Sequence, residues 1–157
     1  MDSEKKYMLA AIKEARKNIS RMDGGPFGAC IAENGKIIAV ARNTVLSGDA
    51  SCHAEINAIR EASARRGGYD LSGCVIYSTT EPCPMCFSAI HWARLDRIIY
   101  GTRVADAKKI GFNEMPVSNR TMKRIGRCGV VVKGGCLRRE CAALLRDWSR
   151  SAKKVLY

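Results

Sequence analysis

The chain has 157 residues, of which 27 are Lys or Arg and 15 Asp or Glu, giving a formal net charge of +12. That length is enough for one domain, spanning 1–157, with a real buried core. No apolar run approaches the roughly 18 residues of a membrane span and no signal-peptide pattern opens the sequence, so a cytoplasmic protein is expected. Eight cysteines would suit a secreted disulfide scaffold, but a chain this long needs no stapling. Cys30, Cys74, Cys128, Cys136 and Cys141 are therefore read as buried or free thiols.

In chain order, residues 4–21 read as a first helix, with Met8, Ile12, Ala15 and Ile19 recurring at helical spacing. It ends at Asp23-Gly24-Gly25-Pro26. Two apolar runs then flank Asn34-Gly35, a pair suited to a tight hairpin turn with positive φ, which predicts two antiparallel strands. Asn43 lies just past the second strand. Its amide can cap a turn, or present a donor and an acceptor to a base edge. A helix is expected from about His53 to Arg66, stopped by Gly67-Gly68, and CVIYSTT as a buried third strand. A further helix begins at Pro84, a residue favoured in a first turn because its missing donor is not needed there. DRIIYG is a fourth strand, RVADAKKIGF a short helical piece, EMPVSN a loop and GVVV a fifth strand. LRRECAALLRDWSRSAKKV closes the chain as an amphipathic helix with Leu137, Cys141, Leu144, Leu145 and Trp148 on one face. Strand and helix alternate after the hairpin, which predicts a three-layer α/β/α sandwich with a mixed five-stranded sheet.

Two stretches carry the chemistry: SCHAEINAI, with His53 and Glu55, and STTEPCPMCFSAI, with Cys83 and Cys86. One imidazole and two thiolates are three zinc ligands, the pattern of a catalytic site that keeps one position for water. Zinc lowers the pKa of such a water from about 15.7 to about 7, so hydroxide is available at neutral pH to attack a ring carbon bearing an amino group. Loss of ammonia then needs a proton carrier beside the metal, and Glu55 sits on the same first helical turn as His53. HxE followed by PCxxC is the known signature of zinc deaminases, with the Glu as proton shuttle rather than ligand. Two other readings of CxxC compete. A thioredoxin-like redox pair has no use for His53 and Glu55, and a structural zinc module wants a fourth thiol or imidazole that the sequence does not place nearby.

From Arg120 onward, eleven Lys or Arg face only Glu140 and Asp147, so most of the charge sits in the last third. Such a footprint suits a polyanion such as RNA, or simply a solvated basic face.

On these residues the chain resembles the cytidine deaminase superfamily over nearly its whole length. GGPFGA at 24–29, HAEINAIREA at 53–62, EPCPMC at 81–86, HWAR at 91–94, DAKKIGF at 106–112 and the terminal Tyr157 are most similar to bacterial guanine deaminases. The resemblance implies one Zn2+ held by His53, Cys83 and Cys86, proton transfer by Glu55, and assistance from Glu114, where that family usually carries Asp. It further implies that Asn43, Phe27, Ala54, Trp92 and Tyr157 contact the base. The expected product is xanthine with ammonia, and the expected assembly a homodimer, in which the C-terminal segment can be exchanged. GGCLRRECAALLRDW at 134–148 is similar to the last helix of tRNA adenosine deaminases, which keeps tRNA open as the alternative substrate. Cytosine or a nucleoside is a further alternative.

Overall fold

The structure, a computed structural model, describes residues 3–157. Helix α1 (Ser3–Arg16) is followed by one turn, α2 (Asn18–Arg21), and by the hairpin strands β1 (Gly28–Glu33) and β2 (Lys36–Arg42). Helix α3 (Ala54–Arg66), strand β3 (Val75–Thr80), helix α4 (Pro84–Trp92) and strand β4 (Arg97–Thr102) come next. After them run α5 (Val104–Lys109), α6 (Asn119–Gly126), β5 (Val131–Gly134) and α7 (Arg138–Arg150).

The hairpin turns where expected: Asn34 and Gly35 take φ of 48° and 83°, the left-handed pair that matches the twist of the flanking strands. The sheet order is β2-β1-β3-β4-β5, with β1 antiparallel to both neighbours and β3, β4 and β5 mutually parallel. The expected mixed five-stranded sheet is thus present.

Alternation along each strand divides the interior into two layers. Ala29, Ile31, Ile76 and Ile98 face one way and bury against Ala54, Ala58 and Ala62 of α3 and Phe87 and Ile90 of α4. Cys30, Ala32, Tyr77 and Ile99 face the other way, against Met8, Ala11 and Ala15 of α1 and Cys141 and Leu144 of α7. A third, small cluster of Ala107, Phe112 and Trp148 ties α5 and α7 to the end of the sheet where β3 and β4 terminate.

Three expectations are corrected. The helix over 4–21 breaks at Lys17, because Asn18 turns its amide inward to donate to the carbonyls of Gly25 (2.8 Å) and Asn43 (2.7 Å). Residues Asn119–Gly126 form a helix that the sequence reading missed. The final helix stops at Arg150, and the rest of the predicted helical stretch runs on as an irregular tail.

Candidate active site and metal centre

The site forms at the start of β1 and beyond the carboxyl ends of the parallel strands, a usual place for ligands in open α/β sheets. Two helix starts meet there. His53 is the N-cap of α3 and Cys83 the N-cap of α4, with Pro84 in the first turn. Both caps have extended backbone, which aims their side chains across the gap rather than along the helices. Cys86 follows one turn into α4. The Cys83 and Cys86 sulfurs each lie 3.6 Å from His53 Nδ1, and the three donor atoms lie within 4.8 Å of one another.

Those separations fit zinc. With bonds of about 2.3 Å to sulfur and about 2.05 Å to nitrogen, a tetrahedral ion places S and N roughly 3.6 Å apart. Soft thiolates with one imidazole are also the donor chemistry zinc prefers. Hydrogen bonding from Cys86 lowers the Cys83 thiol to about 4, against the opposing effect of burial and with help from His53. Positive helix ends add to that preference for thiolate.

Glu55 lies buried beside the donor set, 6% exposed. The Ser78 hydroxyl, from the end of β3, donates to its Oε1 at 2.6 Å, and the Cys86 thiol approaches its Oε2 at 3.4 Å. Burial raises its pKa above the ordinary carboxylate value. The Ser78 hydrogen bond survives loss of the Cys86 proton to a metal and holds the carboxylate in place, which a proton carrier needs.

A cavity of about 280 Å³ opens from the donor set, and Phe27, Asn43, His53, Glu55, Cys83, Phe112, Glu114 and Tyr157 are among its lining residues. Asn43 is 1% exposed. Its Oδ1 accepts from the Val45 N–H at 3.1 Å and from the Tyr157 hydroxyl at 2.7 Å. A backbone N–H can only donate, so the amide orientation is fixed and Nδ2 is the atom left to meet a ligand. The Tyr157 hydroxyl also accepts from the Gly25 N–H at 2.7 Å, and Asn113 N–H donates to the Tyr157 carbonyl at 3.0 Å. The last residue of the chain is thereby latched across the cavity. Burial lifts its phenol to about 12, so it acts as a neutral donor. Phe27, Phe112 and Tyr157 form an aromatic wall, with Phe112 edge-on to Phe27 at 4.9 Å and to Tyr157 at 5.4 Å.

Glu114 faces the same space. Burial, followed by the nearby Cys83 charge, raises its carboxyl to about 7. Glu114 is the least tightly held of the acidic groups here: Lys108 reaches its carbonyl at 3.1 Å rather than its carboxylate.

Two residues of the expected base-contacting set are not among those lining the cavity. Trp92 is 76% exposed and does not wall this chain's cavity. It ends α4, and eight residues at 1.5 Å each carry it about 12 Å down the helix from the ligand end. Ala54, the first residue of α3 between His53 and Glu55, is buried in the core. Conversely, Phe112 and Ser78 are functional neighbours that the motifs did not single out. Phe112 had a signal, as the apolar end of the DAKKIGF stretch. Ser78 had none, since its role depends on strand β3 passing under Glu55.

The family model of the cytidine and deoxycytidylate deaminase zinc-binding region matches residues 1–102. A guanine deaminase of Bacillus subtilis is 41% identical over 109 residues, 69% of this chain and 70% of that protein. A tRNA-specific adenosine deaminase of Streptococcus pyogenes is 32% identical over 155 residues, 98% of this chain and 94% of that protein. The solved structure of guanine deaminase from Nitrosomonas europaea superposes with a TM-score of 0.85 at 34% identity, covering 94% of this chain and 85% of that one.

Proposed function

The chain belongs to the cytidine and deoxycytidylate deaminase family of zinc-binding hydrolases, and from that premise we propose that its substrate is the free base guanine, converted with water to xanthine and ammonia. The observation that carries the choice of base is the Tyr157 latch. It narrows the mouth of a cavity of about 280 Å³ beside the donor set, which suits a flat base better than a base still attached to ribose and an RNA backbone.

His53, Cys83 and Cys86 would hold the zinc, whose Lewis acidity would make a water nucleophilic at neutral pH. Glu55 takes a proton from the attacking water and passes it to the ring nitrogen next to the amino-bearing carbon. The carbon–oxygen bond forms, the carbon–nitrogen bond to the amino group breaks, and the departing nitrogen leaves as ammonia once protonated. Glu114 assists that last transfer. Asn43 Nδ2 donates to an acceptor on the base edge, and Phe27 with Phe112 lies against the ring plane.

The tRNA adenosine reading keeps one point in its favour, the similarity to such enzymes over 98% of the chain together with the basic last third. The latch is the counter-argument, because a flipped nucleotide needs an exit for its backbone. Exposed Met85, Trp92 and Ile125 on α4 and α6 support a homodimer. In the single chain the tail reaches its own cavity, so exchange between subunits is not needed to close it. All eight cysteines are free, which supports a reducing compartment, the cytoplasm. Among the described residues no helix is long and apolar enough to cross a membrane.

The direct test is ammonia release from guanine by the zinc-loaded protein, with Glu55→Gln beside it. The variant is expected to keep stoichiometric zinc and lose at least about 1,000-fold in kcat, at the upper side of general acid–base effects. Wild-type turnover in that variant would refute the mechanism, and absence of guanine turnover in the wild type would refute the substrate.

A further inference from the structure

A second, larger cavity of about 590 Å³ lies on the other side of Glu81 from the catalytic one, at the carboxyl ends of β4 and β5. Its floor is buried: Tyr100 is 8% and Glu81 5% exposed. Three guanidinium side chains, Arg103, Arg120 and Arg138, line it. The deamination chemistry uses none of them.

The carboxylates that face this cavity are already engaged. Glu81 Oε1 accepts from the Asn119 N–H at 2.8 Å and Oε2 from the Val104 N–H at 3.3 Å. Asp106 pairs with Arg138 at 3.0 Å and accepts the Arg103 backbone N–H at 2.7 Å. Arg103 and Arg120 themselves have no carboxylate within ion-pair distance among the described residues, and three guanidinium groups outnumber the two carboxylates Glu81 and Asp106, so the concave space keeps a net positive charge. That excess costs self-repulsion that an anion would relieve.

The backbone adds donors on the same side. Strand β5 ends in Gly134-Gly135, both lining the cavity. A side chain at Gly134 would come within 2.6 Å of the Tyr100 ring, and Gly135 takes a φ of 89°. The two glycines therefore let the backbone approach the cavity and turn directly into α7. That helix has 13 residues, and no side chain caps its N-terminus, so its first amides and the positive end of its dipole are open to a negative group.

We propose that this cavity is a binding site for a small phosphorylated ligand, its phosphate held by Arg103 and Arg120 with Arg138 at the rim and the start of α7 behind. Guanidinium forks match phosphate oxygens in pairs. The concave form and the buried floor of Tyr100 and Glu81 favour a compact phosphate or phosphate ester over the backbone of an RNA, which is usually tracked by an open groove or stripe. The proposal stands independently of the guanine reading, since it concerns binding on the far side of Glu81.

The test is calorimetric titration of the zinc-loaded protein, at low salt and in a phosphate-free buffer, with inorganic phosphate and separately with ribose 5-phosphate. The two arms tell a free-phosphate site from a phosphate-ester site. One saturable site per chain is expected for at least one of them. Arg103→Ala/Arg120→Ala is expected to weaken it at least about tenfold with zinc content and Tm unchanged. Arg103→Lys/Arg120→Lys, which keeps the charge and removes the forks, guards against a folding artefact and is expected to weaken it measurably. Arg124→Ala/Arg146→Ala removes equal charge outside the cavity and is expected to bind like wild type. Absence of saturable binding, equal weakening by the outside pair, or dependence on Arg103 and Arg120 only for a tRNA anticodon stem-loop would each overturn the proposal.

Discussion

Replacing Tyr157 with Phe removes one oxygen and leaves the ring, which keeps its edge contact with Phe112 at 5.4 Å. What is lost is the hydroxyl that accepts from Gly25 N–H and donates to Asn43 Oδ1, each at 2.7 Å. Gly25 is buried, so its N–H is left without a partner, a loss of about 1–3 kcal/mol. Asn43 keeps its orientation, because Val45 N–H still holds Oδ1 at 3.1 Å. The damage therefore falls on tail closure, and roughly 5- to 150-fold in the closing equilibrium follows at about 1.4 kcal/mol per tenfold. Closure and base binding are coupled, so the KM for guanine is expected to rise by a factor in that range. kcat is expected to stay within about threefold, since Glu55 and the zinc donors are untouched. Steady-state ammonia release over a range of guanine concentrations measures both. An unchanged KM would mean that the tail does not close over the substrate, and the enclosed-base argument would fall with it.

Other outcomes follow from the same contacts. Ser78→Ala removes the 2.6 Å donor to Glu55; a bond to a charged group contributes about 1.5–3 kcal/mol, so kcat is expected to drop about 10- to 150-fold while zinc content and the KM for guanine hold. Cys83→Ala leaves two of the three donors, so zinc measured by atomic emission is expected to fall well below one per chain, and retained stoichiometry would refute the ligand set. Acid stability should report the cluster in which Arg42 binds Glu14 at 2.8 Å and Asp23 at 2.7 Å. Burial alone would raise Glu14, but Lys17 and Arg42 outweigh it and hold the carboxyl below 4.5. Stabilisation from a depressed carboxylate is present above the unfolded pKa and lost as pH falls through the folded one. Tm is thus expected to fall below about pH 4.5, less steeply in Arg42→Met, and equal slopes would contradict the assignment.

Much of this was legible in the sequence because it rests on local rules. Asn34-Gly35 fixes its turn by positive φ, Pro84 and Gly67 mark helix limits, and HAE with PCPMC specifies donor chemistry by residue type alone. What escaped depended on distance in the fold. The break at Lys17 follows from Asn18 reaching carbonyls seven and twenty-five residues away. Helix α6 was hidden because it is only eight residues long, with Met122 and Ile125 as its few apolar positions, and its start is held partly by Glu81, thirty-eight residues earlier. Trp92 looked like a pocket wall through its resemblance to a family motif, whereas the length of α4 carries it to the surface. The arginine-lined cavity could not be read at all: Arg103 before α5, Arg120 in the first turn of α6 and Arg138 at the start of α7 meet at the ends of the parallel strands β4 and β5.

The central claim, that the chain deaminates a free enclosed base, is tested most directly by a parallel assay of ammonia release. Zinc-loaded protein would be given guanine, guanosine, adenine, cytosine and a tRNA anticodon stem-loop at matched concentrations. Turnover of guanine is expected, with guanosine and the stem-loop at least about 100-fold slower because ribose cannot pass the Tyr157 latch. Turnover of the stem-loop in preference to guanine would contradict that claim, and would mean that the tail opens for a flipped nucleotide.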